Sequence, residues 1–233
     1  MNVHVLVPAA GSGKRLGSAI SKQFLPLGSR PILAQTLLRF GSLPQITGIY
    51  LIVPEAERTF CQRDIVDKFH LPKIVNVVAG GKERQDSVRN GLEACNAAQN
   101  DVVLIHDGVR PFFPAAQIQP LIDAAAITGA AVLAIPSQDT VKKVINGRVL
   151  KTLDRSQIWQ VQTPQAFLFS RIFEAHRRAQ AENHIGTDDS ALVEWCGWPV
   201  AVVSGSVRNF KITTQADLLL ARALVSTDKD ALL

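Results

Sequence analysis

Apolar residues along this chain fall into two alternating patterns. Short β-rich runs occur at VHVLVP (3–8), IYLIVP (49–54), IVNVVA (74–79), DVVLIH (101–106) and AVLAIP (131–136). Between them, residues 31–40, about 55–69, 83–97 and 115–128 place apolar side chains three and four apart, the spacing of a helix buried along one stripe. Strand and helix in alternation predict right-handed βαβ crossovers and a mostly parallel sheet. Ligands of such sheets collect beyond the carboxyl ends of the strands, which directs attention to the loops at 8–23, 79–87 and 106–111.

From Ser137 to Gln165 the pattern changes. VKKVINGRVLKTL (141–153) is two alternating segments around Asn146-Gly147, a strong hairpin signal, and reads as an arm over about 137–160. An isolated two-stranded hairpin is marginal in water, so its apolar Val141, Val144, Ile145, Val149, Leu150 and Leu153 need a surface to pack on. A second subunit is the natural candidate; folding back on its own domain is the alternative. Helices near 169–182 and 187–196, a strand at 200–204, the segment NFKIT (209–213) and a helix at 215–225 follow.

With 233 residues, 47% of them hydrophobic, the chain fits one α/β domain with an excursion. Twenty-five basic against 20 acidic side chains give a formal charge of +5, which suits a phosphorylated small ligand. No basic stripe interleaved with aromatics is present, so nucleic acid ranks low as a partner. Cys61, Cys95 and Cys196 are odd in number and far apart, indicating neither a disulfide framework nor a zinc site. No run approaches a membrane span and no targeting segment is evident, and the expected location is the cytoplasm.

Candidate chemistry gathers in the loops at the carboxyl ends. PAAGSGKRLG (8–17) combines glycines, which let backbone N–H groups approach anionic oxygens, with the charges of Lys14 and Arg15. It is neither a Walker A loop, since Arg15 rather than Ser or Thr follows Lys14, nor a dinucleotide fingerprint, since its third glycine is Gly17. A tight strand-to-helix turn alone would explain the glycines equally well. Lys22 makes three cations within nine residues, enough to clamp a triphosphate. Asp107, in HDGVRP (106–111), ends an apolar strand, where its carboxylate can hold Mg²⁺ on ligand phosphates or serve as a turn residue paired with Arg110. His106 reads as packing or a turn hydrogen bond.

These segments, with GGKERQDSV (80–88), DTVKK (139–143), DRSQIWQVQTPQ (154–165), TDDSALVE (187–194) and NFKITT (209–214), occur in the order and spacing of one family. Together they resemble the 2-C-methyl-D-erythritol 4-phosphate cytidylyltransferases of the non-mevalonate isoprenoid pathway. The resemblance implies a Rossmann-like nucleotidyltransferase fold, helices on both faces of the sheet, and a homodimer in which each arm reaches into the partner's site. It implies that Arg15 and Lys22 stabilise the transition state at the α-phosphate of CTP, and that Gly11, Gly13 and Lys14 line the triphosphate cradle. Ala10 would lie against the nucleotide, Gly81 and Ser87 near the cytosine, and Asp107 at the magnesium and ribose side. For the sugar-phosphate acceptor it implies Thr140 and Arg155 on the arm, with Thr187 and Lys211 near the reacting phosphates. Lys82 stands where some relatives have an acid, so a base contact there falls to the main chain. No second metal carboxylate stands in Ser206-Val207-Arg208-Asn209 before Lys211. Ribitol 5-phosphate is the nearest alternative acceptor, and a nucleotide-sensing module without turnover is the alternative from another class.

Overall fold

The computed structural model describes residues 1–11 and 21–227. In chain order the strands begin with β1 (Val3–Pro8), a short pair β2 (Pro26–Leu27) and β3 (Arg30–Pro31), β4 (Gly48–Val53), β5 (Ile74–Ala79) and β6 (Val102–Ile105). They continue with β7 (Ala130–Pro136), β8 (Lys142–Ile145), β9 (Arg148–Thr152), β10 (Trp159–Leu168) and β11 (Ala201–Ser204). The helices are α1 (Ile32–Gly41), α2 (Arg58–Phe60), α3 (Arg84–Ala94), α4 (Ile118–Thr128), α5 (Phe169–Ala181), α6 (Asp189–Trp195) and α7 (Gln215–Thr227).

One seven-stranded sheet runs in the order β11-β7-β10-β6-β1-β4-β5. Its pairings are parallel, except that β10 lies antiparallel between β6 and β7. Strand alternation sorts the side chains onto two faces. Val3, Val5 and Val7 of β1 pack with Leu37 and Phe40 of α1 and Leu121 and Ile122 of α4. Leu6 joins Leu92 of α3, Ile172 of α5 and Leu192 of α6 on the other face. Because both faces are covered, the central strands read as continuous apolar runs. The chain leaves β1 toward β4 and β5, then crosses back to β6 on the other side of β1, so a topological switch point falls between β1 and β6. A third cluster packs Leu218 and Ala221 of α7 against Leu27, Ile32, Val109, Phe112 and Ile212, behind the loop that follows β6.

The structure departs from the sequence pattern in two places. The helix expected over 55–69 divides into a 3-10 turn (Glu55–Glu57), the single turn α2 and a widened π segment (Cys61–Asp67). The arm also ends earlier, because from Trp159 onward the chain is β10, inside the main sheet. Polar residues disguised this strand: Gln162, Thr163 and Gln165 are buried but hydrogen bonded, so no apolar period marks them.

The hairpin itself matches expectation. Asn146 and Gly147 both have positive φ, 50° and 75°, as a type I′ turn requires. Strands β8 and β9 pair only with each other, and every residue in them is exposed. The arm therefore does not fold back on its own domain.

Leu51 is wholly buried at the centre of β4. Replacing it with Ala leaves a cavity beneath α1 and should lower stability by about 2–5 kcal/mol. Urea unfolding followed by circular dichroism should show a lower midpoint with an unchanged slope.

Candidate active site

A cleft of about 360 Å³ opens at the switch point, lined by residues from three of the carboxyl-end loops and by Lys211. Four cations (Lys22, Lys82, Arg84, Lys211) and two carboxylates (Glu83, Asp107) face it, so positive charge predominates. Six of the residues singled out from sequence meet here with Asp107: Ala10, Gly11, Lys22, Gly81, Ser87 and Lys211. Gly13, Lys14 and Arg15 lie outside the described residues. Thr140 and Arg155 sit on the arm, exposed and not among the residues that line this cleft, and the Arg155 guanidinium donates to the Gln138 carbonyl at 2.9 Å. Thr187 is exposed, immediately before Asp188, whose carboxylate caps α6 by accepting from the Ala191 N–H at 2.8 Å.

Each wall is fixed by local bonds. Gln23, buried beside Lys22, donates its side-chain amide to the Ala9 carbonyl at 2.9 Å and so ties the Lys22 turn to the end of β1. At the start of α3 the Ser87 hydroxyl accepts from the Gly81 N–H at 3.1 Å and donates to the Glu83 carbonyl at 3.0 Å. Gly81 packs so tightly on Asp86 that a Cβ there would lie 2.3 Å from the Asp86 Cβ, which accounts for glycine at this position. Ser87 thus shapes the loop that borders the cleft.

Asp107 forms the floor. It is 6% exposed and receives three cations: Lys211 Nζ at 3.0 Å, Arg110 Nε at 3.3 Å and Arg84 Nε at 3.4 Å. Burial alone would raise its pKa, but Lys211, Arg84 and Arg110 together hold it well below the usual carboxylate range. Its backbone N–H donates to Thr163 Oγ1 at 3.1 Å, while the Arg110 guanidinium also donates to the Asn209 carbonyl at 2.7 Å. The Asn209 amide donates to the Thr163 carbonyl at 2.8 Å and to Gln162 Oε1 at 3.2 Å. Gln162 and Thr163 therefore work with Asn209 as a bracket that holds the Lys211 segment against the end of β6. His106 packs edge-on against the stacked pair Phe40 and Phe113 and bonds the Arg110 carbonyl at 3.0 Å. Its burial drives the pKa down to about 3, leaving a neutral imidazole that closes the turn.

Arg84 was not singled out from sequence. It lines the cleft, and while Nε faces Asp107, Nη1 donates to Asp189 at 2.8 Å. Burial opposes its charge, but Asp189 and Asp107 raise its pKa above that of a free guanidinium. One signal was available: a cation in the first turn of α3 opposes the helix dipole and so calls for nearby carboxylates.

Asp107 also fits part of the role expected for magnesium. No group of three or more His, Cys, Asp or Glu that could hold a metal occurs among the described residues. One buried carboxylate, Asp107, with only the exposed Glu83 as a second in the cleft, suits a magnesium ion that arrives on phosphate oxygens better than a resident all-protein site.

A doubly covered, mostly parallel sheet with a cationic cleft at its switch point places the chain among the nucleotide-binding α/β proteins. The model of the 2-C-methyl-D-erythritol 4-phosphate cytidylyltransferase family matches residues 3–227, and the chain belongs to that family. It is 52% identical to the enzyme of that name from Syntrophotalea carbinolica over 230 residues, covering 99% of each chain. It is 50% identical to the one from Geotalea uraniireducens over 228 residues, covering 97% of this chain and 98% of the relative. Among solved structures, 4-diphosphocytidyl-2C-methyl-D-erythritol synthase from Anaerococcus prevotii superposes with a TM-score of 0.84 at 32% identity, covering 97% and 96% of the two chains. The Thermus thermophilus cytidylyltransferase gives a TM-score of 0.80 at 33% identity, covering 97% and 100%.

Asp107 and Asp189 both titrate below their ordinary values, in each case against the effect of burial. Such groups contribute stability above the unfolded carboxylate pKa of about 3.9, and lose it as pH falls toward the folded value. The thermal midpoint should therefore hold between about pH 8 and 5 and drop below about pH 4. The drop should be shallower in Asp189→Asn, as differential scanning fluorimetry across pH would register.

Proposed function

We propose that this chain transfers CMP from CTP to 2-C-methyl-D-erythritol 4-phosphate, giving 4-diphosphocytidyl-2-C-methyl-D-erythritol and pyrophosphate. The observation that carries this reading is the cation-neutralised Asp107 at the floor of a cleft that also presents Lys22 and Lys211. An acceptor phosphomonoester has its second pKa near about 6, so it is already largely a dianion at neutral pH and needs no general base. One of its oxygens attacks the α-phosphorus of CTP; that P–O bond forms as the bond to the bridging oxygen breaks, and the electron pair leaves with pyrophosphate.

The main obstacle is repulsion between two anions, and fixed cations offset it. Lys22 lies on the β1 side of the cleft and Lys211 on the β6 side, so the two can flank a phosphate chain. Arg15, with Lys14 and the Gly11 and Gly13 amides, would complete the triphosphate cradle. Ala10 would lie against the nucleotide and Gly81 near the cytosine, with Ser87 fixing that loop. A magnesium ion bound to the triphosphate, with Asp107 as its carboxylate, would withdraw charge from the reacting phosphate.

Thr140 and Arg155 are assigned to the acceptor, and Thr187 with them. Because neither of the first two lines the cleft of its own chain, we assign them to the cleft of a second copy in a homodimer. The exposed apolar side chains of the arm, Val144 and Val149 paired across it with Ile145 and Leu150 beside them, support that pairing. Among the described residues no helix is long and apolar enough to cross a membrane. The unpaired Cys61, Cys95 and Cys196 suit a reducing compartment such as the cytoplasm.

Purified protein given CTP and Mg²⁺ should release pyrophosphate with methylerythritol 4-phosphate and not with ribitol 5-phosphate. Release with the second alone would reassign the acceptor, and release with neither would favour a nucleotide sensor. Lys22→Ala should lower kcat/KM by at least about 100-fold with an unchanged melting temperature; near-normal turnover would remove Lys22 from the mechanism.

Val149 and Leu150 are 62% and 61% exposed. A Val149→Asp/Leu150→Asp variant should sediment as a monomer where the parent sediments as a dimer. Its pyrophosphate release should fall, since Arg155 would no longer reach a partner's cleft.

A further inference from the structure

Behind the cleft wall lies a buried chain of polar groups outside the assignments made so far. Asp189 opens α6 and is 1% exposed, and it does not line the cleft. One of its oxygens accepts from Arg84 Nη1 at 2.8 Å, and the other meets His176 Nε2, from α5, at 3.2 Å. His176 is itself 1% exposed. The same guanidinium reaches forward through Nε to Asp107 Oδ1, at the longer distance of 3.4 Å. Arg84 is thus held more closely from behind than from the front. Asp107 keeps its shorter ion pair, through Oδ2, for Lys211.

We propose that Asp189 is a positioning residue for the transfer reaction: it draws Arg84 back from Asp107, and so leaves that carboxylate oriented toward Lys211 and the incoming phosphates. This inference rests on the cytidylyl-transfer reading above. Without the Asp189 charge, the strongest remaining partner for Arg84 is Asp107, where two parallel N–H donors can engage one carboxylate. A guanidinium closed over Asp107 would compete with Lys211 and would shift cations that the transition state requires in place. Asp189, with His176 bonded to its other oxygen, prevents that collapse and ties three helices, α3, α5 and α6, to the end of β6.

A purely structural role is the competing account, because breaking a buried ion pair from one side is costly wherever it lies. Removing both charges separates the two. In Arg84→Gln/Asp189→Asn a neutral amide pair can replace the ion pair, so melting temperature should recover relative to either single variant. If Asp189 acts through Arg84, the double variant should have the kcat of Arg84→Gln, because with the guanidinium gone the Asp189 substitution has nothing left to misplace, giving a non-additive cycle. We expect Asp189→Asn to reduce kcat by about 10–100-fold per folded molecule, with the KM for CTP changed by less than about threefold.

The experiment is steady-state pyrophosphate release by wild type, both single variants and the double variant, with folded protein quantified by thermal melting of each sample. An Asp189→Asn kcat equal to wild type, or a double variant whose kcat falls below that of Arg84→Gln by the further loss seen in Asp189→Asn, would each overturn the inference. A wild type that releases no pyrophosphate with CTP and methylerythritol 4-phosphate would overturn the functional reading and the inference with it. An active wild type with any of the preceding results overturns the inference alone.

Discussion

Asp107 cannot stay ionised at the end of β6 without help, and much of the site's architecture supplies that help. A carboxylate so far out of water needs charge partners and hydrogen bonds, and no single element provides them. Lys211 comes from the segment before α7, Arg110 from the turn after β6, Arg84 from the start of α3, and the Thr163 hydroxyl from β10. Four pieces of chain distant in sequence are thereby drawn to one point. The point coincides with the switch between β1 and β6, where the backbone leaves a crevice.

The same neutralisation leaves the cleft suited to phosphates. Cations already fixed by a carboxylate need little reorganisation when an anionic ligand arrives, and preorganised charge of this kind is what lowers barriers to phosphoryl transfer. The polar bracket of Gln162, Thr163 and Asn209 holds the Lys211 segment, and the neutral His106 closes the turn from beneath. Neither bracket nor imidazole touches the cleft, yet both set distances within it.

The arm follows a different physical rule. Its two strands satisfy their backbone only with each other, and its apolar side chains stay in water within a single chain. Four exposed apolar side chains gathered on one short hairpin mark an interaction surface. Residues assigned to the acceptor lie on the same hairpin, so pairing of copies and completion of the site become one event in the proposed reaction.

Local periodicity and turn chemistry made much of this molecule legible in advance. Nearly continuous apolar runs at 3–8, 49–54 and 101–106, alternating with helical stretches, pointed to a mostly parallel sheet, and Asn146-Gly147 pointed to a hairpin, because each pattern has few low-energy solutions. Glycines beside Lys22 and an acid closing an apolar strand located the cleft for the same reason. Tertiary structure alone decided that Gln162, Thr163 and Gln165 lie inside the sheet, since a buried polar strand is recognisable only once its partners are in place. It alone decided that Arg84, Asp189 and His176 form one chain of contacts behind Asp107. Charges 105 residues apart in sequence interact through space, and only folding brings Arg84 within 2.8 Å of Asp189.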